Sequence, residues 1–165
     1  MIERIPVCPS DETFLYQLYA STRMTELQAW GWDPMMQEQF LQMQWNAQRQ
    51  SYAVQYPDAE HSILTFQNFH AGRVLVSRTT EAIVLVDISL LPAFHNRGIG
   101  TWLIQELQAE AQALKLTLRL SVLPQNPALR LYERLGFRTT DQTGHHVLME
   151  WRAVSPDATP SDKFF

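Results

Sequence analysis

The sequence has little cysteine and no long apolar run, and each shortage excludes a class of protein. With Cys8 as its single cysteine, the chain cannot form an intramolecular disulfide. Cys8 has no neighbouring histidine or basic pair to activate its thiol, so we interpret it as an idle side chain rather than a nucleophile. No stretch approaches membrane-spanning length, and the first residues lack the apolar run of a signal peptide. We therefore expect a cytoplasmic protein that does not contact membranes.

Positive charge is also scarce, because the net charge is -4 and charged residues make up only 18% of the chain. Proteins that bind phosphate backbones usually have a basic face, so we expect no nucleic-acid partner. Hydrophobic residues make up 45% of the 165 residues, which is typical of one compact globular domain. We predict that this domain spans residues 1–154 and that residues 155–165, rich in Ser, Pro and Asp, form a loose tail.

Apolar periodicity predicts the order of helices and strands. Strands are expected at 2–7, 62–66, 73–77, 82–91, 116–122, from 137 and at 146–151; helices are expected from Ser10 and Asp33, at 101–114, and from Asn126 to Gly136. The two connections between the three middle strands suit antiparallel hairpins. The order therefore indicates an α/β fold with a mixed, mostly antiparallel central sheet and one βαβ crossover.

Two glycines, Gly98 and Gly100, lie between a strand and a helix inside this crossover. The first turn of a helix has unpaired amides and a positive dipole end, so the position suits an anionic ligand, although a short glycine motif also suits a simple tight turn. A P-loop would need Lys-Ser/Thr after the glycines, where this chain has Thr101-Trp102. A Rossmann site would need a small residue in place of Leu103 and an acidic residue about 20 positions on, and it is equally unsupported.

Two segments of the chain resemble the signature blocks of the GNAT superfamily of N-acetyltransferases. The first, LLPAFHNRGIGT, runs from Leu90 to Thr101, and the second, NPALRLYERLGF, runs from Asn126 to Phe137. Both occur in the family's order and separation, and the resemblance extends over about residues 62–150. One departure is His95, which stands where the family usually has Gln or Arg. The resemblance implies a GNAT-like sheet whose two central strands splay apart.

The resemblance also implies a reaction and a set of site residues. The reaction is direct transfer of an acetyl group from acetyl-CoA to a small-molecule or peptide amine in a ternary complex. Residues expected to bind the cofactor are Leu90, Leu91, His95, Asn96, Arg97, Gly98, Ile99, Gly100, Thr101 and Asn126. Tyr132 is expected to protonate the departing CoA thiolate, and no metal is implied.

The general base is the least defined part of this site. Ser121 stands where some relatives carry glutamate, which leaves Asp87 as the best remaining candidate. Asp87 lies in an otherwise apolar strand, where a carboxylate is either poised by burial or held in a structural pair, and the sequence leaves both readings open. A non-catalytic acyl-CoA-binding or regulatory module of the same fold is therefore the alternative function.

Acceptor specificity in such folds usually comes from the first helices and the last hairpin. The aromatic residues of the helical region would suit a pocket for an apolar or aromatic amine, although most such residues form core; Trp30 and Trp32 are expected to be the exposed pair. These aromatics are Trp30, Trp32, Trp45, Tyr52 and Tyr56. The sequence leaves open the acceptor amine, the length of the acyl group and whether the chain forms a homodimer.

Overall fold

Seven strands and four helices make up the computed structural model, which describes residues 1–153. The strands are β1 (Ile2–Pro6), β2 (Glu60–Phe66), β3 (Phe69–Arg78), β4 (Ala82–Leu90), β5 (Thr117–Val122), β6 (Arg138–Thr143) and β7 (His146–Arg152). The helices are α1 (Glu12–Ala29), α2 (Pro34–Gln55), α3 (Ile99–Leu114) and α4 (Ala128–Arg134). The element order is the predicted one.

The strands form a single sheet in the order β1-β2-β3-β4-β5-β7-β6. β4 and β5 are the parallel pair, joined by α3, which is the predicted βαβ crossover. Their ladder joins Ala82–Leu85 to Thr117–Leu120 in four residue pairs, although β4 continues to Leu90 and β5 to Val122. The predicted mixed, mostly antiparallel α/β fold is confirmed.

The described residues group into two compact units. The first comprises Met1–Ser77 with Val86–Gly100, and the second comprises Arg78–Leu85 with the described residues from Thr101 onward. The single domain over residues 1–154 therefore stays a prediction, and the predicted tail at 155–165 lies outside the described residues. None of the helices described combines the length and the apolarity that a membrane-spanning segment needs.

In the first unit, α1 and α2 meet through a buried cluster. This cluster consists of Tyr19, Leu27, Leu41 and Trp45. The start of α2 follows from its sequence, because Asp33 Oδ1 accepts a hydrogen bond from the Met36 amide at 2.9 Å and Pro34 occupies the first turn. The spacing of Met36, Phe40, Met43 and Ala47 predicts the inner face of α2 wrongly, because Met36 and Met43 are 48% and 62% exposed while Leu41 and Trp45 are buried instead.

In the second unit, α3 and β5 present the predicted apolar faces. Of the four residues expected on the inner face of α3, Leu103, Leu107 and Ala111 are fully buried, whereas Leu114 is 57% exposed. Along β5, the even-numbered residues Leu118 to Val122 are buried and Ser121 is exposed, which confirms the period-two alternation. Gly136 has φ 96° just after α4, the left-handed conformation predicted for that helix end.

Two further local predictions were wrong. The first helix is not capped by Ser10, because Ser10 lies in a short 3-10 turn that Asp11 stabilises by accepting the Cys8 amide at 2.9 Å. The β2–β3 connection is also shorter than the loop expected at residues 68–72. Gln67 and Asn68 adopt φ values of 50° and 69°, so that a two-residue turn suffices and β3 begins at Phe69.

Candidate functional site

The loop between β4 and α3 turns through left-handed backbone directly before the helix. Asn96 has φ 60° and Gly98 has φ 79°, and α3 begins at Ile99, two residues earlier than predicted. Residues 95–98 are exposed while Ile99 is buried and fixes the helix start. A Cβ added to Gly98 would meet nothing within 4 Å, so the space beside this turn is open.

The helix start behind this loop has the properties of an anion site. α3 has 16 residues, and the amides of its first turn have no partner one turn earlier in the helix. Arg97 is exposed and forms no ion pair with any residue that the structure describes. Its guanidinium lies 5.9 Å from the ring centroid of Phe66, and Phe94 packs against the same ring at 6.1 Å. These ring contacts anchor the loop to the end of β2.

The end of β4 is held by bonds within the first unit. The Leu91 amide donates to the Ala71 carbonyl at 2.8 Å, and the Leu91 carbonyl accepts from the Phe94 amide at 2.9 Å. His95 Nε2 lies 3.0 Å from the Leu90 carbonyl oxygen, so the ring donates when Nε2 carries the proton. These bonds engage three of the backbone groups at Leu90 and Leu91, and they direct His95 toward the strand end.

Asp87 is held in a structural pair. Arg73 donates to Asp87 Oδ2 from Nε at 2.9 Å and from Nη2 at 2.7 Å, and Ser89 Oγ donates to the same oxygen at 3.1 Å. Arg73 is 8% exposed, and Gln48 of α2 accepts from its Nη2 at 3.2 Å. Of the two readings that the sequence left open, the geometry matches the paired carboxylate, with Oδ1 outside these three bonds.

The remaining predicted site residues lie in the second unit. Tyr132 of α4 is 6% exposed, and its ring centroid lies 5.7 Å from that of Phe137. Asn126 Oδ1 accepts from the amide of Ala128, the first residue of α4, at 2.9 Å. Thr101 lies half-buried in the first turn of α3. Asp87 to Gly100 thus form one continuous segment of the first unit, while these three residues belong to the other.

His61 is a titratable residue that the sequence did not single out. It lies on β2 opposite Leu75, and its Nε2 is buried with no hydrogen-bond partner among the described residues. Burial, followed by the positive charge of Arg73, lowers the pKa of His61 to about 4. Only the strand register brings His61 near Arg73, so no local signal in the sequence marks it.

Replacing His61 by glutamine is expected to make the protein less sensitive to acid. Because the pKa of His61 is about 4 in the folded protein and 6.5 unperturbed, the unfolded chain binds the proton more readily. The free energy of unfolding is therefore highest above the unperturbed pKa, and it declines as the pH falls toward the pKa of the folded protein. For this partly exposed ring we expect the decline to be smaller by about 1 kcal/mol in His61→Gln.

Urea unfolding at several pH values across this window measures the decline. His145→Gln, which changes an exposed histidine in the β6–β7 turn, serves as the control and should behave like the wild type. Equal declines in all three proteins would contradict the assignment to His61.

Comparison with known proteins gives one family match. The model of the acetyltransferase (GNAT) domain matches residues 59–139, a stretch that contains the β4–α3 loop and α4. Among curated proteins, none matches this sequence.

Several solved structures share the fold over almost the whole chain. PaiA N-acetyltransferase from Thermoplasma acidophilum, in complex with coenzyme A, has a TM-score of 0.68 and 18% identity, covering 92% of this chain and 99% of that one. The ribosomal-protein-S18-alanine N-acetyltransferase from Escherichia coli has a TM-score of 0.63 and 18% identity, covering 96% and 99%. A GNAT family acetyltransferase from Elizabethkingia anophelis with acetyl-CoA bound has a TM-score of 0.58 and 16% identity, covering 92% and 97%.

Proposed function

Since residues 59–139 match the model of the acetyltransferase (GNAT) domain, we propose that the chain is an N-acyltransferase that moves an acetyl group from acetyl-CoA to a primary amine. The observation that carries this proposal is the exposed left-handed turn at Asn96 and Gly98, which leads directly into a long helix. Such a turn presents backbone amides and the positive end of a helix dipole to an anion.

The residues from Arg97 to Thr101 would hold the diphosphate of the cofactor. The amides of Ile99, Gly100 and Thr101 offer donors at the helix start, and the exposed guanidinium of Arg97 adds a positive charge. The bond between His95 and the Leu90 carbonyl would keep the end of β4 in place beside this loop. Acetyl-CoA supplies the acetyl group as a thioester already activated for attack by an amine.

Two side chains of the protein would move protons. A primary amine with a pKa near 10.4 is almost entirely protonated at neutral pH, so a base must remove its proton before attack. Asp87 would take that proton through Oδ1, the oxygen outside its bonds with Arg73 and Ser89. Tyr132 would protonate the thiolate that leaves when the thioester carbon–sulfur bond breaks, and it would regain a proton from the nitrogen that has formed the amide bond. The resemblance to the family supports this role for Tyr132.

Replacing Gly98 by alanine tests the binding of coenzyme A. The new Cβ would occupy the open space beside the turn and strain its left-handed backbone, so we expect calorimetry to show at least tenfold weaker binding of coenzyme A. Gly31→Ala is the matched control, because Gly31 has φ 70° and also has nothing within 4 Å of an added Cβ. The control should bind coenzyme A as the wild type does. An absence of heat with the wild-type protein would overturn the proposal.

Replacing Tyr132 by phenylalanine tests the proton donor. Because a thiol with a pKa near 8.5 is already a fair leaving group, we expect kcat to fall only about 10- to 100-fold. The dissociation constant of coenzyme A should stay unchanged, since the ring that packs against Phe137 is retained. Unchanged kcat in steady-state assays of thiol release would remove Tyr132 from the mechanism.

One observation favours the second candidate, a non-catalytic acyl-CoA-binding or regulatory module. Asp87 Oδ2 already accepts three hydrogen bonds, and the family's alternative position for a base is occupied by the exposed Ser121. A screen of amines with acetyl-CoA, following the release of free thiol, separates the two candidates. Tight binding of coenzyme A without thiol release from any amine would favour the module.

A further inference from the structure

A cavity of about 580 Å³ lies within the first unit, under the second half of α2. Its walls come from α2, the start of α1, and the neighbouring strands β2 and β3. The residues that line it are Val7, Cys8, Pro9, Glu12, Leu15, Trp45, Arg49, Tyr52, Ala53, Tyr56, Pro57, Ala59, His61, Arg73 and Leu75. A volume of this size suits a small organic molecule.

The cavity is distinct from the glycine loop within this unit. His61 and Leu75, which face each other on β2 and β3, form part of its lining. The end of β4 bonds β3 at Ala71. Four residues along a strand correspond to about 13 Å, so Leu75 lies well away from the strand end that leads into the loop.

Apolar and aromatic side chains make up much of the cavity wall. Trp45 is 6% exposed and contacts the Tyr16 ring edge-on at a centroid distance of 5.1 Å, which fixes its orientation. Tyr56 directly follows α2, and its amide donates to the Tyr52 carbonyl at 2.8 Å, so the two tyrosines line the cavity at the end of this helix. These walls favour a ligand with a flat or branched apolar body.

Arg49 and Arg73 give the cavity lining two positive charges, and Glu12 gives it one negative charge. His61 adds no charge at neutral pH, because its pKa is about 4. Arg73 is engaged by Asp87 and Gln48. Because Asp87 balances the charge of Arg73, Arg49 with its exposed partner Glu12 is the positive charge of the lining that an anionic ligand can reach.

Arg49 is the cation best placed to receive a ligand. Its guanidinium lies 4.2 Å from the Trp45 ring centroid, at the border between the aromatic wall and the solvent. Its ion pair with Glu12 measures 3.2 Å, and the two side chains are 46% and 62% exposed. Such exposed pairs contribute little to stability, so a ligand carboxylate can replace Glu12 with a two-pronged hydrogen bond.

We propose that this cavity binds a small organic acid, with its carboxylate on Arg49 and its aromatic or branched apolar body against Trp45, Tyr52 and Tyr56. The proposal goes beyond acyl transfer and does not depend on it. The carboxylate belongs either to the amine acceptor itself or to a separate effector, and the assay described below distinguishes these two sources.

Calorimetry with three probes of the same shape tests the proposal on the full chain. We expect 3-phenylpropanoate to bind at least tenfold more tightly than the neutral 3-phenylpropanamide, and the cationic 3-phenylpropylamine to bind most weakly. The proposal is overturned if none of the three binds at its solubility limit, or if the amide or the amine binds as tightly as the acid.

Two variants locate the carboxylate, and their effects have opposite signs. Arg49→Gln should weaken the binding of 3-phenylpropanoate at least tenfold and leave that of the amide unchanged. Glu12→Gln removes the competing carboxylate and should strengthen the binding of the acid, a gain that misfolding cannot imitate. Arg138→Gln, an exposed arginine on β6, is the matched control and should have no effect. If neither Arg49→Gln nor Glu12→Gln changes the affinity for 3-phenylpropanoate, the assignment of its carboxylate to Arg49 is overturned.

Thiol release from acetyl-CoA identifies the source of the carboxylate. If L-phenylalanine supports thiol release and 3-phenylpropanoate inhibits that release competitively, the carboxylate belongs to the acceptor amine. If another amine supports thiol release and 3-phenylpropanoate changes the rate without competing with that amine, the carboxylate belongs to an effector. Either result supports the site. If the protein binds the acid but releases no thiol, the proposed enzymatic function is wrong and the cavity is still a binding site.

Discussion

Replacing Gly72 by alanine is expected to lower both the stability of the protein and its activity. A Cβ at this position of β3 would overlap the carbonyl oxygen of Ser89 and would lie 2.8 Å from Leu90 Cδ2 and 3.0 Å from Leu90 Cα. Since these contacts involve the backbone of β4, the strands must move apart. We expect a destabilisation of about 3 kcal/mol, which lowers Tm by about 6 to 12 °C.

The same displacement would move the end of β4 that leads into the glycine loop. A shift of about 1 Å in a positioning segment lowers rates by about 100-fold, so we expect a loss of that order in kcat/KM. Gly144→Ala is the control, because a Cβ there meets nothing within 4 Å, and it should change Tm by no more than about 2 °C. Calorimetric melting and thiol-release assays provide the measurements. A Gly72→Ala protein with the Tm of the wild type would show that β3 and β4 tolerate the side chain.

Much of this fold could be predicted because its signals are local. The alternation along β5 and the left-handed Gly136 after α4 depend on a few neighbouring residues, and the structure confirms them, whereas α4 begins at Ala128 and not at Asn126. The start of α3 was placed two residues late, since periodicity marks the inner face of a helix but not the turn before it. The apolar run of β4 is typical of a strand buried on both faces, whereas Val86–Leu90 is only half-buried beyond the end of the β5 ladder.

The candidate site was less predictable because its contacts depend on strand register. Asp87 stands 14 residues after Arg73, and only the pairing of β3 with β4 brings the two together. The aromatic residues of α1 and α2 show the same limit. Trp30 is 51% exposed as expected, but Trp32 is half-buried and packs against Phe40 at 5.2 Å. The spacing of residues along one helix does not reveal which element covers them.

Replacing Asp87 by asparagine is expected to destabilise the protein by about 2 to 4 kcal/mol. The change leaves the guanidinium of Arg73, which is 8% exposed, without its carboxylate partner. The loss lies toward the lower end of the range for buried pairs, because the Asp87 side chain is 23% exposed and Gln48 still accepts from Arg73. Urea unfolding measures the free energy directly.

A double-mutant cycle separates the ion pair from the effects of the single residues. We expect the double variant Arg73→Met with Asp87→Asn to be more stable than the sum of the two single losses predicts, since it leaves neither charge uncompensated. The loss of stability in Arg73→Met is compared with that in Arg78→Met. Arg78 forms a more exposed pair with Glu110, in which the side chains are 32% and 26% exposed. Losses at Arg73 and Asp87 that simply add would show that the two charges do not stabilise one another.

The same variants decide whether the carboxylate also takes up the proton of the amine. If Asp87 is the base, Asp87→Asn loses at least about 100-fold in kcat, and the double variant stays equally slow although it regains stability. Arg73→Met, by contrast, keeps the carboxylate and frees Oδ2 from two of its three donors, so it retains much more turnover. If Asp87 only holds Arg73, activity follows stability in all three variants and the double variant recovers. We expect the first pattern, because Asp87 Oδ1 lies outside the three bonds with Arg73 and Ser89 and can accept a proton without releasing Arg73. The assays are run well below the lowest Tm of the variants.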